Sequence, residues 1–106
     1  MLYEYRIYEC HPGQRDKWVQ YMESVIIPFQ VSKGMVVAGS FIDEEDDNCY
    51  VWMRRFQDEA DREALYEAVY QSDGWVNDIA PNIPEMLNRE TIKVMRLVPT
   101  AKSVMN

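Results

Sequence analysis

The sequence predicts an α+β domain built on one four-stranded antiparallel sheet, with two main helices on a single face. Three observations predict it. Four short segments show the ring and β-branched enrichment, with partial alternation, of strands. Two longer segments carry apolar residues at helical spacing. Their order is strand, helix, strand, strand, helix, strand, with a short helical insertion before the last strand.

The first strand covers residues 2–10, where Glu4 and Arg6 alternate with Tyr3, Tyr5 and Ile7; Pro12-Gly13 ends it. A helix follows from about Gln14, with Trp18, Met22, Val25 and Phe29 on one stripe. Pro28 lacks a backbone donor and is expected to kink or end the last turn, and Gly34 releases the chain. Met35 to Ile42 reads as the second strand, with Gly39 a candidate bulge. The acidic run from Asp43 to Asn48 reads either as a metal site or as a solvated hairpin loop. Mutual repulsion of neighbouring carboxylates favours the loop. Cys49 to Phe56 is the third strand.

Asp58 suits a helix N-cap, and Glu59 and Asp61 suit the first-turn dipole. Ala60, Ala64, Leu65, Ala68 and Val69 supply that helix's expected apolar stripe, and Ser72-Asp73-Gly74 breaks it. Trp75, Ile79, Ile83, Met86 and Leu87 suggest short helical turns interrupted by Pro81 and Pro84. Thr91 to Val98 forms the last strand, stopped by Pro99. This order is the ferredoxin-like βαββαβ arrangement. Residues 1–99 make one domain and residues 100–106 a short unpatterned tail.

The 106 residues carry a formal charge of −7, which argues against nucleic acid and anionic membrane as partners. Cys10, Cys49 and the single histidine, His11, complete no Cys/His metal set, and no cofactor-binding motif is present. The expectation is two reduced thiols in a cytoplasmic protein, with no metal and no cofactor. The chain opens directly on a strand pattern rather than a signal-peptide pattern.

Seven Tyr, three Trp and three Phe are a heavy aromatic load for a monomer core of this size. In the third strand Cys49, Val51 and Met53 are medium-sized and are assigned under the helices. The alternate set, Tyr50, Trp52, Arg54 and Phe56, is assigned to the open face together with Arg6 and Tyr8 of the first strand. An open face so rich in rings calls for a twofold dimer in which two sheets meet.

Tyr3-Glu4-Tyr5-Arg6-Ile7-Tyr8 closing on Pro12-Gly13 resembles the first strand of NIPSNAP-type proteins. Val51-Trp52-Met53-Arg54-Arg55-Phe56, followed by Asp58, Ala60, Asp61 and Arg62, resembles their third strand and second helix. Tyr70, Ser72, Asp73, Trp75 and the closing Arg96-Leu97-Val98-Pro99-Thr100 fit a bacterial branch of that family. The resemblance covers nearly the whole chain. It implies a dimeric α/β barrel, in which two ferredoxin-like sheets close on each other, and assigns no chemistry.

Arg6 and Arg54 are candidates to bind an anionic ligand inside the barrel, or else form a structural network with Glu4. Tyr8 and Trp52, with Tyr50 and Phe56, form either an aromatic wall for a planar ligand or core filler. His11 and Glu63 are the candidates for proton transfer. Glu63, Tyr66 and Tyr70, with Asp73 and Trp75, either rim a pocket or belong to helix surface and packing. No nucleophile–base pair or phosphate loop can be argued from spacing. Two functions stand side by side: a homodimer that binds or transforms a small anionic or aromatic metabolite in its barrel, and a non-catalytic homodimeric interaction protein with a packed barrel.

Overall fold

The structure, a computed structural model, describes residues 1–105; Asn106, the last residue of the expected tail, lies outside them. Strand β1 (Leu2–Cys10) leads into helix α1 (Arg15–Tyr21), a π-helical segment (Met22–Ile26) and helix α2 (Ile27–Ser32). Then come β2 (Val36–Ile42), β3 (Cys49–Phe56), helix α3 (Glu59–Tyr70), a second π segment (Gly74–Ile79), a short 3-10 turn (Ala80–Asn82) and β4 (Leu87–Leu97). The four strands form one antiparallel sheet in the order β2-β3-β1-β4. Among the described residues no helix is long and apolar enough to cross a membrane.

Pro28 does not end its helix. The Ile27 amide just before it reaches five residues back to the Met22 carbonyl, and the helix runs on to Ser32. The wider turn makes room for the proline ring, which an α-helical turn would press against a carbonyl. The same device precedes Pro81, where the Ala80 amide bonds to the Trp75 carbonyl. Gly39 lies where the β2–β3 register shifts, as expected of a bulge. The last strand begins earlier than the sequence suggests, because Leu87 and Asn88 pair with Cys10 and Glu9 before an irregularity opposite Tyr8.

The open and covered faces are the reverse of the sequence expectation. Glu4, Tyr8, Cys10, Tyr50, Trp52, Arg54 and Phe56 all lie buried, and Arg6 half-buried, on the face the helices cover. Trp18 of α1 packs on Tyr8 and Tyr50, and Tyr66 of α3 packs on Phe56. Tyr5, Ile7, Val51 and Met53 point the other way. Alternation separates the two sets but does not say which one lies inside. With the ring-bearing set goes Arg54, whose outer guanidinium nitrogens meet Glu4, Gln30, Tyr66 and Tyr70 on that face. The medium-sized set is left on the open face, with Phe41 54% and Met95 51% exposed beside it. The tail turns back over one end of that face, alongside Tyr3, Met53 and Leu97.

Helix α3 buries only part of its expected stripe, Leu65 and Val69. Ala60, Ala64 and Ala68 are exposed, whereas Arg62, Leu65, Tyr66, Val69 and Tyr70 face the sheet. Its N-cap is as expected: the Asp58 carboxylate accepts from the Asp61 amide at 2.8 Å. Asp58→Ala is expected to cost about 1 kcal/mol, measured as a shift in the urea unfolding midpoint with unchanged slope.

The acidic loop is a solvated hairpin turn. Asp43 accepts from the Glu45 and Asp46 amides, which hold its carboxyl below the usual range, and Arg15 bonds the Asp43 and Asp46 carbonyls. Among the described residues no cluster of His, Cys, Asp and Glu could hold a metal ion. Cys10 and Cys49 are free thiols, and burial pushes the Cys10 thiol up to about 11.

Candidate functional site

A cavity of about 150 Å³ lies between the covered face of the sheet and the helices. Its floor is Arg6 and Tyr8 of β1 and Trp52 of β3, cross-strand neighbours in the ladder. Its roof is the line Trp18, Met22, Ile26 and Gln30 on the long helix. Tyr66 and Tyr70 of α3 close one side, while Trp75, Ile83, Leu87 and Ile92 supply apolar wall. Arg89, the exposed member of the lining, stands at the rim with no hydrogen bond or ion pair among the described residues.

Beside the floor, on the same face of the sheet, lies a buried ionic network. Glu4 accepts from Arg54 Nη2 at 2.7 Å, Arg62 Nε at 2.8 Å and the Tyr66 hydroxyl at 2.5 Å. Burial alone would push the Glu4 carboxyl up. The Arg54 charge, with the hydrogen bonds from Tyr66, Arg62 and Arg54, more than reverses this and holds it below its ordinary value. Arg54 also donates to Gln30 Oε1 at 2.9 Å and to the Tyr66 and Tyr70 hydroxyls at 2.8 and 2.7 Å. Burial would lower the Arg54 pKa, but Tyr70, Tyr66 and Glu4 raise it, so its guanidinium is permanently charged.

The sequence-nominated ligand residues thus come together, but inside one subunit and under the helices rather than between two sheets. Arg6, Tyr8 and Trp52 line the cavity directly. Arg54 sits beside them on the same face, 0% exposed, with its charge already met by Glu4. The proton-transfer candidates lie elsewhere. His11 Nε2 is 2.9 Å from the Pro84 carbonyl, in the loop after β1. Glu63 is exposed on α3 and lines a separate outer depression with Arg62 and Glu67. Neither lines the cavity.

Arg6 differs from Arg54 in its charge balance. Its Nε donates to the Tyr8 hydroxyl at 2.8 Å, and its nearest carboxylate oxygen, on Glu4, is 3.9 Å away and already claimed. Trp18 Nε1 and Trp52 Nε1 are buried with no hydrogen-bond partner, although Trp52 lies near enough to the Tyr8 oxygen to favour its ionised form slightly. The Tyr8 and Tyr70 oxygens accept from Arg6 and Arg54, and no acceptor takes their own protons among the described residues. Sequence reasoning did not single out Trp18 and Gln30 as site residues. The available signal was their place with Met22 and Ile26 at a strict spacing of four.

The model of the NIPSNAP family matches residues 3–102 of this sequence. Among solved structures, a NIPSNAP family protein of unknown function from Agrobacterium tumefaciens superposes with a TM-score of 0.89 at 21% identity, covering 100% of this chain and 94% of its own. An uncharacterized NIPSNAP domain protein from Burkholderia xenovorans superposes with a TM-score of 0.85 at 20% identity, covering 97% of this chain and 98% of its own. A second NIPSNAP family protein from Agrobacterium tumefaciens gives a TM-score of 0.86 at 19% identity over 99% of this chain and 98% of its own. Among curated proteins none matches the sequence.

Proposed function

This chain belongs to the NIPSNAP family, and from that premise we propose that it is a homodimer that binds a small anionic organic molecule in the cavity of each subunit, with Arg6 supplying the positive charge. The observation that carries this reading is the one-sided chemistry of the cavity wall. A half-buried guanidinium, whose nearest carboxylate oxygen is 3.9 Å away on a Glu4 already paired with Arg54 and Arg62, faces a space lined by aromatic rings, tyrosine hydroxyls and hydrocarbon, and a buried charge without its own counter-charge is costly. A ligand bearing oxygen acceptors and a negative charge removes that cost. The apolar open face of the sheet supports the dimeric part, since Phe41 and Met95 on it are more than half exposed within the subunit.

The reading is one of binding. The Glu4 carboxylate is held by three donors, and His11 and Glu63 lie off the cavity, so no free base faces a ligand there. The test is a thermal-shift screen of small carboxylic acids against their neutral amides, on the native protein and on Arg6→Met. An acid at about a hundred times its Kd contributes about 2.7 kcal/mol, or roughly 10 °C in Tm for a domain of this size. The expected result is a shift with acids alone, absent in R6M. Equal shifts with the amides, or shifts that survive in R6M, would remove the anionic reading. If no compound of either kind acts, the packed-barrel interaction protein takes its place.

A further inference from the structure

Resting on that reading, we infer that Arg89 is a second binding residue of the cavity and that the ligand is a short dicarboxylate, with one carboxylate held by Arg6 inside and the other by Arg89 at the rim. The charge of the lining is the first observation behind this. Over the whole chain 18 acidic residues outnumber 11 basic ones. The cavity inverts that balance: Arg6 and Arg89 line it, and among the described residues no aspartate or glutamate does. Arg6 is held by neutral groups, the hydroxyls of Tyr8 and Tyr66, while Glu4 is already paired with Arg54 and Arg62. Arg89 has no hydrogen bond or ion pair among the described residues. Two guanidinium groups therefore border one small space, and neither has a carboxylate of its own.

The path of β4 is the second observation. Asn88 pairs with Glu9 and Lys93 with Ile7, so the four residues from Arg89 to Ile92 stand opposite Tyr8 alone. A regular ladder offers one residue at that level. The bulge offers the cavity two, Arg89 and Ile92, while Thr91 and Lys93 line a separate depression. Bulges of this kind re-aim side chains beside functional sites. β4 is an edge strand, where bulges and charges also deter pairing with another chain. That duty requires charge facing outward and gives no reason for an arginine over a cavity.

The two charges stand at different depths. The Arg6 side chain is 19% exposed and rises from the floor level with Trp52, whereas Arg89 is exposed at the rim, beyond Tyr8. A ligand with an anionic group at each end meets both, each by a planar carboxylate–guanidinium contact. A compact dianion such as phosphate concentrates its charge at one point and leaves the hydrocarbon wall of Met22, Ile26, Leu87 and Ile92 unfilled. Volume limits the length between the ends. A cavity of about 150 Å³ holds a body the size of benzene, and this cavity has that volume. One carboxylate and a few methylenes fit inside it, and the second carboxylate stands at the mouth beside Arg89.

The experiment is calorimetric titration at neutral pH with succinate, glutarate and adipate, each compared with the monoamide in which one carboxylate is made neutral, and with inorganic phosphate. The native protein is compared with Arg89→Gln and Arg6→Met. At least one diacid is expected to bind about tenfold or more tightly than its monoamide, the worth of one charge-assisted contact. In R89Q that preference should fall to about twofold or less while monoamide affinity stays within about threefold, and in R6M both should lose binding. Equal affinity of every diacid and its monoamide, or a preference unchanged in R89Q, overturns this inference and leaves the anion-binding reading standing. Phosphate as the tightest ligand overturns the dicarboxylate in the same way. Binding undiminished in R6M, or no binding by any acid, overturns both. Arg89 is exposed and unpaired, so R89Q is expected to melt with the native protein; should it not, the native comparison of diacid, monoamide and phosphate decides alone.

Discussion

Arg54→Met is expected to lower the stability of the fold by about 3–5 kcal/mol, the cost of leaving a buried carboxylate without its main counter-charge. Glu4 is 0% exposed, and Arg54 is its closest guanidinium at 2.7 Å. Marginal native stability of about 5–15 kcal/mol makes this a large fraction of the whole. Equilibrium urea unfolding measures it. The double variant Glu4→Leu/Arg54→Met is expected to recover much of the loss, because no uncompensated charge remains and Arg62 keeps Glu59. The same network sets an acid limit. The Glu4 pKa is lowered in the folded state, so its contribution is complete above the unfolded carboxylate's titration and falls away as pH drops below the ordinary carboxylate range through the lowered folded value. A loss in R54M below about 1 kcal/mol would mean that Glu4 is not the buried anion described here.

Met53→Asp is expected to convert the proposed homodimer to folded monomers. Met53 sits on the open face between Tyr5 of β1 and Gly39 of β2, at the edge of the part the tail leaves uncovered. A twofold interface of ordinary size buries about 800 Å² on each partner. In such an interface the substitution occurs twice, setting two carboxylates into the same apolar contact. A penalty of about 3 kcal/mol, or more than a hundredfold in Kd, follows from desolvating them. Sedimentation at micromolar concentration should give twice the chain mass for the native protein and the chain mass for M53D, with the far-UV spectrum retained. Native protein that sediments as a monomer would sink the dimer, and with it any role for the open face in assembly.

Much of the fold was legible because its signals are local. The third strand was readable from Cys49 to Phe56, since period-two alternation and flanking polar residues bound it on both sides. The cap at Asp58 and the bulge near Gly39 were readable for the same reason. The inside of the sheet was not legible, because it depends on residues far away in sequence. Arg54 reads as an open-face residue of a barrel interior until Glu4, Gln30, Tyr66 and Tyr70 are placed around it. Helix α3 misled in a related way: its alanines suggested the buried stripe, whereas Arg62, Tyr66 and Tyr70 turn inward to serve the network. Arg6, Tyr8 and Trp52 could be grouped by alternation and pairing alone, which is why they were nominated together although the chamber they line was misplaced. His11 was nominated by residue type and Glu63 by its place on a helix edge with Tyr66 and Tyr70, and neither signal says which surface a side chain meets.

The π segment ahead of Pro28 makes the cavity depend on the number of residues in the helix as well as on their kinds. In a regular α-helix, positions four apart precess by about 40° each, so Trp18, Met22, Ile26 and Gln30 would fan through about 120°. Here all four are buried along one side, held in phase by the wider turn. The segment works as a phase joint between two half-roofs. A chain one residue shorter at this point would keep the composition, the sheet and the ionic network, yet swing one half of the roof away from the other. Relatives that differ in residue count between Tyr21 and Pro28 would therefore enclose chambers of different outline on the same scaffold, a source of ligand diversity that residue-by-residue comparison passes over.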